Sequence, residues 1–140
     1  MTYWEQAKTR LVGVEPEVIA KYNVVSAPVA ARMALGAAAA SGSDIAVSVT
    51  GVAGPTGGDE VRPVGTVYLG AARGDTVYVQ KLFVSRPDRA LVRARAAQAA
   101  LALALRLAQG KVPAHTKPLA ASEQHSAAAL DALNEAFLAE

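Results

Sequence analysis

Apolar residues recur at two spacings along this chain. Steps of three and four mark helical faces, and steps of two mark strands. Trp4, Ala7 and Leu11 share a helical face, so residues 3–12 are expected as a short helix, or a strand end running into one, closed by Gly13. Glu15-Pro16-Glu17 opens a second short helix to about Tyr22, with proline in the first turn and carboxylates where the helix dipole favours them. Ser26-Ala27-Pro28 starts a third helix with Ser26 as its cap. Val29, Met33 and Ala37 lie on one face, and Ser41-Gly42-Ser43 breaks it.

Strands follow. Ile45–Val49 is a short apolar run that reads as a buried strand and opens into the glycine-rich stretch Thr50–Gly58. Val64–Ala72 alternates, with Thr66, Tyr68 and Gly70 on one side and Val67, Leu69 and Ala71 on the other. Arg73-Gly74-Asp75 is a tight turn, so residues 76–84 are expected to pair back antiparallel. Ser85-Arg86-Pro87-Asp88 opens the longest helix, which runs to Gln109 and stops at Gly110. Its core face is expected at Leu91, Ala94, Gln98, Leu101, Leu105 and Leu107. Residues 111–125 carry Pro113 and Pro118 and read as a linker. Residues 126–140 read as a C-terminal amphipathic helix with Leu130, Leu133, Phe137 and Leu138 on its apolar side. The pattern as a whole predicts an α/β fold: a small mixed sheet with helices packed on its faces, built from residues 1–110.

Composition narrows the function classes. The chain has 140 residues, enough for one core, and only 19% of them are charged. A net charge of +2, with no basic stretch carrying interleaved aromatics, argues against nucleic acid as a partner. There is no cysteine, which excludes disulfides, thiolate metal sites and a cysteine nucleophile. The N-terminus has no signal-peptide pattern, and the alanine-rich runs are interrupted by Arg or Gly, so no membrane partner is expected and the cytoplasm is the expected location.

Glycine loops after strands commonly hold ligands, because they lie outside the carboxyl end of a sheet. This one lacks the Gly-Lys-Ser/Thr of phosphate loops and the spacing of dinucleotide loops. Thr50 either donates its hydroxyl into a cleft or bonds a neighbouring main-chain group. Lys8 is the strongest candidate base, since a lysine in an apolar wall holds its proton less tightly. Tyr3, five residues earlier, converges with Lys8 only if it precedes the helix. Arg89, in the first turn of the long helix with Arg93 one turn on, suits a phosphate or carboxylate. His115 and His125 are assigned no role. Two separated histidines without cysteine give a metal site little support, and no cofactor is expected.

Several segments together resemble the CinA C-terminal domain family. Tyr3-Trp4-Glu5-Gln6-Ala7-Lys8 with Leu11-Val12-Gly13-Val14 is similar to its Tyr-x-x-x-x-Lys and Leu-Gly-Val segment. Val25-Ser26 with Val29-Ala30 and Met33-Ala34 resembles its Val-Ser-x-x-Val-Ala-x-x-Met-Ala segment. Val49-Thr50-Gly51-Val52-Ala53-Gly54-Pro55, continued by Pro63-Val64-Gly65-Thr66-Val67, resembles its most specific motif. Phe83, Pro87-Asp88-Arg89 and Arg93 resemble a Phe-x-Gly-Asp-Arg-x-x-x-Arg segment. The resemblance covers roughly residues 3–108. It implies a three-layer α/β/α domain and nicotinamide-nucleotide amidohydrolase activity, in which nicotinamide mononucleotide and water give nicotinic acid mononucleotide and ammonia. Carried over by motif, Lys8 and Tyr3 are catalytic, and Thr50, Gly51, Gly54 and Arg89 bind substrate. A neutral lysine can take the proton of an attacking serine, and loop amides can hold the oxyanion.

The chain also departs from that pattern. The family's serine lies in a Glu-Ser-Cys-Thr-Gly-Gly segment upstream of the tyrosine, which this sequence does not contain. Asn23-Val24 stand where the family has a His-Gly-like pair, and Pro87 stands for a glycine. Two readings follow: an amidohydrolase domain truncated at its N-terminus, or a catalytically inactive nucleotide-binding or oligomerisation module. A homo-oligomer is expected in either case, because sheet edges left open favour association.

Overall fold

The computed structural model describes residues 5–86 and 88–139. Helix α1 spans Glu5–Val12, α2 Pro16–Tyr22 and α3 Ala27–Ser41. Strands β1 (Ile45–Gly51), β2 (Thr66–Arg73) and β3 (Thr76–Phe83) follow, then α4 (Arg89–Ala108). Strand β4 (Lys117–Ala120) and helix α5 (Ala127–Leu138) complete the order.

Local chemistry sets most of these boundaries. Ser26 caps α3 by accepting from the Val29 amide, and Gly42 closes it in the left-handed conformation. Asp88 caps α4 by accepting from the Ala90 amide at 3.1 Å. The β2–β3 turn runs through Gly74 at φ +62°. The chain is an α/β protein with the strand order β1-β2-β3-β4. Among the described residues the three ladders are antiparallel, where a mixed sheet is expected from the sequence. The stretch expected as a linker contains β4, which pairs with β3 from Thr76↔Ala120 to Val79↔Lys117.

Two apolar layers cover the sheet. On one face Tyr68, Ala72, Val77 and Val79 pack against the alanines of α3 and against Leu130, Leu133 and Phe137 of α5. Tyr68 and Phe137 meet edge to face, 5.8 Å between ring centres. On the other face Val67, Leu69 and Ala71 meet Val92, Ala96, Ala100, Leu103 and Leu107 of α4. The alternation of β2 thus sorts its two sides as expected. The phase of α4 does not follow the expected stripe: Leu107 is buried, but Leu101 and Leu105 are 72% and 59% exposed. This helix is apolar around much of its girth, so spacing alone does not select the buried side. Val47 and Val49 of β1 are also part-exposed, beside an outer edge of β1 that has no ladder partner among the described residues.

Helix α3 lies at the centre of its layer, buried from Ala27 to Leu35. Two glycines let its neighbours come close. A Cβ on Gly70 of β2 would sit 2.5 Å from the Ala30 carbonyl oxygen, and one on Gly36 would sit 1.6 Å from the Val12 carbonyl oxygen. The second contact locks α1 onto α3. We expect Gly36→Ala to lower stability by about 1–3 kcal/mol through overpacking, read as the urea midpoint. Substitution at the exposed Gly42, whose Cβ would meet nothing, should cost less beyond its backbone strain.

Candidate active site

A cleft of about 700 Å³ opens where α1, the α2–α3 connection, the carboxyl end of β1 and the first turns of α4 converge. Its size suits a nucleotide-scale ligand. Each element reaches it for a local reason. Gly36 draws α1 inward, which places Lys8 on the wall with only 6% of its surface exposed. The antiparallel β1–β2 ladder ends at Gly51↔Val67 and delivers Val49, Thr50 and Gly51 to the rim. The Asp88 cap starts α4 so that Arg89 and Arg93 line the opposite side, one turn apart.

The structure therefore brings together Lys8, Thr50, Gly51 and Arg89 from the sequence-derived set, and adds Arg93. Gly54 is buried and does not line the cleft; its carbonyl accepts from the Arg89 guanidinium at 3.1 Å and steers that side chain. Tyr3 lies outside the described residues, as does Pro87. The described lining carries two arginines, one lysine, one hydroxyl and no carboxylate, on otherwise apolar walls. Such a site favours an anion attached to an apolar or aromatic body.

Thr50 donates its hydroxyl proton to the Val24 carbonyl at 2.8 Å. The main-chain alternative thus holds for that proton, and toward a ligand the oxygen acts as an acceptor. Val24 follows Asn23, which sits at φ +81° and accepts from the Val25 amide at 3.0 Å. With ψ at 150° this backbone lies outside the left-handed helical well, in a region that glycine normally occupies, and the Asn23 side chain helps hold it by accepting from the Val25 amide. Neither nearby serine faces the cleft. Ser26 donates to the Asn23 carbonyl at 2.8 Å while capping α3, and Ser48 donates to the Ala30 carbonyl at 2.6 Å.

The glycine loop is held from both ends. The Val52 amide donates to the Thr66 carbonyl at 2.9 Å, and the Gly65 amide donates to the Val52 carbonyl at 2.8 Å. Arg62 reaches across to donate to the Tyr22 carbonyl at 2.7 Å and to the Val25 carbonyl. Sequence reasoning missed Arg62, since its partners lie 37 and 40 residues away and no local signal marks them.

Behind the cleft, buried Arg32 donates to the Gly13 carbonyl at 3.1 Å and to Glu15 at 2.7 Å. His125, to which the sequence assigns no role, lies 3.2 Å from Glu15. Burial pushes the Glu15 carboxyl up, but its own amide, Arg32 and His125 together hold it below the usual carboxylate range. Hydrogen bonds from Tyr22 and Lys21 hold the Asp131 carboxyl low as well.

An α/β domain with a cationic cleft at the carboxyl end of an edge strand is the class this geometry defines. The chain belongs to the CinA C-terminal domain family, whose model matches residues 1–108. The nicotinamide-nucleotide amidohydrolase PncC of Escherichia coli strain K12 is 43% identical over 103 residues, covering 72% of this chain and 61% of that protein. A CinA-like protein of Geobacter sp. strain M21 is 50% identical over 93 residues, covering 66% of this chain and 22% of that protein. The crystal structure of the competence/damage inducible protein CihA from Agrobacterium tumefaciens matches with a TM-score of 0.74 at 34% identity, covering 77% of this chain and 66% of that one. The chain spans less than two thirds of the length of these two relatives.

Two outcomes follow. Thr50→Val should cost about 1–3 kcal/mol by leaving the Val24 carbonyl unpaired, whereas Thr50→Ser should retain most of the stability; urea titration separates them. Glu15 and Asp131 have folded pKa values below their unfolded ones, so their contribution is present above the ordinary carboxylate range and lost as pH falls through the folded values. A Glu15→Gln/Asp131→Asn chain should therefore lose less of its own stability than wild type between neutral pH and about pH 3, followed by thermal melting.

Proposed function

We propose that the cleft binds nicotinamide mononucleotide and forms the lysine, threonine and arginine side of a nicotinamide-nucleotide amidohydrolase site. The observation that carries this reading is the convergence of Lys8, Thr50, Arg89 and Arg93 on one otherwise apolar cleft inside the family match. The named activity of the Escherichia coli relative supports the substrate class. In this reading Arg89 and Arg93 take the phosphate and the apolar wall of Val24, Val49 and Val67 takes the pyridine ring. Lys8 receives a proton as a serine hydroxyl attacks the carboxamide carbon, and ammonia leaves with a proton before water releases the acid. The Gly51 main-chain amide stabilises the oxyanion, since the Val52 amide is already given to Thr66, and Tyr3 assists Lys8.

The attacking serine is the part this sequence does not supply, for it contains no Ser-Cys-Thr-Gly-Gly segment and no serine lines the cleft among the described residues. This favours a second reading for the chain by itself, binding without turnover. A cytoplasmic setting in pyridine-nucleotide recycling, and a homo-oligomer that covers the open edge of β1, complete the proposal. No described helix is long and apolar enough to cross a membrane.

Nicotinamide mononucleotide at 100 times its dissociation constant should stabilise the chain by about 2.7 kcal/mol, measured by denaturant titration. Arg89→Ala should weaken binding by about tenfold or more, the worth of a charge-assisted hydrogen bond. Ammonia release should be absent from this chain and present in a form extended at its N-terminus by a Ser-Cys-Thr-Gly-Gly-bearing segment of a family relative. In that form Lys8→Ala should cost about 10²–10⁴ in kcat. No stabilisation by the nucleotide, together with no ammonia from the extended form, contradicts the proposal.

A further inference from the structure

Residues beyond 108 lie outside the family match, yet they touch the elements that carry the cleft. After Gly110 the chain adds β4 to the sheet, and the Ala121 amide donates to the Asp75 carbonyl at 2.7 Å. Helix α5 then crosses the α3 layer, with Leu130, Leu133 and Phe137 buried. These apolar contacts anchor the segment. Its side-chain polar contacts do something different, because they reach Arg32 of α3, Glu15 and the end of α2.

One path starts at Gln124, whose side-chain oxygen accepts from Arg32. The other terminal nitrogen of Arg32 donates to the Gly13 carbonyl at 3.1 Å and to Glu15 at 2.7 Å. Gly13 follows the last residue of α1, and the next amide, Val14, donates back to the Lys8 carbonyl at 3.2 Å. Gln124 is thus linked through one buried guanidinium to the turn that ends the helix of Lys8. A second path starts at Asp131, which accepts from the Tyr22 hydroxyl and pairs with Lys21 at 3.0 Å. Tyr22 ends α2, and its carbonyl receives Arg62 of the glycine loop. Val24 and Val25 on the cleft wall follow within three residues.

We propose that residues 111–139 are a positioning arm for the cleft. Gln124 acting through Arg32, and Asp131 acting through Tyr22, hold α1 and the α2–α3 connection where Lys8, Val24 and Val25 meet a ligand. Gln124 and Asp131 are positioning residues, since neither lines the cleft. Both are only half-buried, so their bonds direct the neighbouring helices while Phe137 and its companions supply the attachment. The ligand part of this inference rests on the reading of the cleft given above.

The test compares wild type, Gln124→Ala/Asp131→Ala and Phe137→Ala by hydrogen exchange read by mass spectrometry, with nicotinamide mononucleotide titrations alongside. In the double variant the amides of α1 and α2 should exchange about tenfold faster, while those of β2 and β3 keep wild-type protection. Its affinity for the nucleotide should fall by a similar factor, and Gln124→Glu, which retains the acceptor, should restore the α1 protection. Phe137→Ala should instead speed exchange across the whole domain, the pattern of a merely structural contact. Exchange at α1 and α2 unchanged in the double variant, or raised equally in β2 and β3, overturns the proposal. The exchange readout needs no ligand. A wild-type chain that ignores the nucleotide therefore sinks the reading of the cleft, and the arm is then decided on α1 and α2 exchange alone.

Discussion

Helix α3 approaches its neighbours more closely than ordinary side chains allow, and the remaining elements take their places from that contact. The Ala30 carbonyl faces Gly70 and receives the Ser48 hydroxyl, which binds α3 to β2 and β1 at once. Gly36 lets the Val12 carbonyl rest on the helix, which brings α1 and Lys8 inward. Small residues supply little apolar area each, so the gain here comes from close packing rather than from large side chains. The larger groups that complete this layer, Phe137 and Leu133, come from the far end of the chain.

Charge in the cleft follows from this packing. Lys8 and two arginines converge where no described lining residue offers a carboxylate, and low-dielectric apolar walls strengthen the pull of the arginines on an anion. The same walls leave room for an aromatic ring. Main-chain groups near the site are already committed: Val24 to Thr50, Val25 and Tyr22 to Arg62, Gly54 to Arg89. The loop is consequently a fixed edge of the site, held by long-range bonds as well as by its own Asp59–Arg62 turn.

Much of the fold is legible in the sequence because local chemistry writes it there. Ser26, Asp88 and Gly42 set helix ends, Gly74 sets a hairpin, and the alternation of β2 sorts its two faces. Three features are not legible. The buried side of α4 is chosen by the sheet, since Leu101 and Leu105 satisfy helical spacing as well as Leu103 and Leu107 do. Strand β4 is a short run with a proline, and only pairing with β3 makes it a strand. Arg32 and Arg62 gain their meaning from partners far along the chain. In the site, Lys8, Thr50, Gly51 and Arg89 were recognisable by motif. The inward view of Arg93 and the supporting place of Gly54 needed the three-dimensional arrangement.

In the proposed reading, a cleft built by close packing around α3 is a site for an anionic nucleotide. A crystal structure of this chain grown with nicotinamide mononucleotide tests it most directly. The phosphate should lie between Arg89 and Arg93, with the pyridine ring against Val24 and Val67 and its carboxamide toward Lys8. A nucleotide found instead in the smaller cleft beside Arg73 and Lys111, or an empty cleft at saturating ligand, would contradict it.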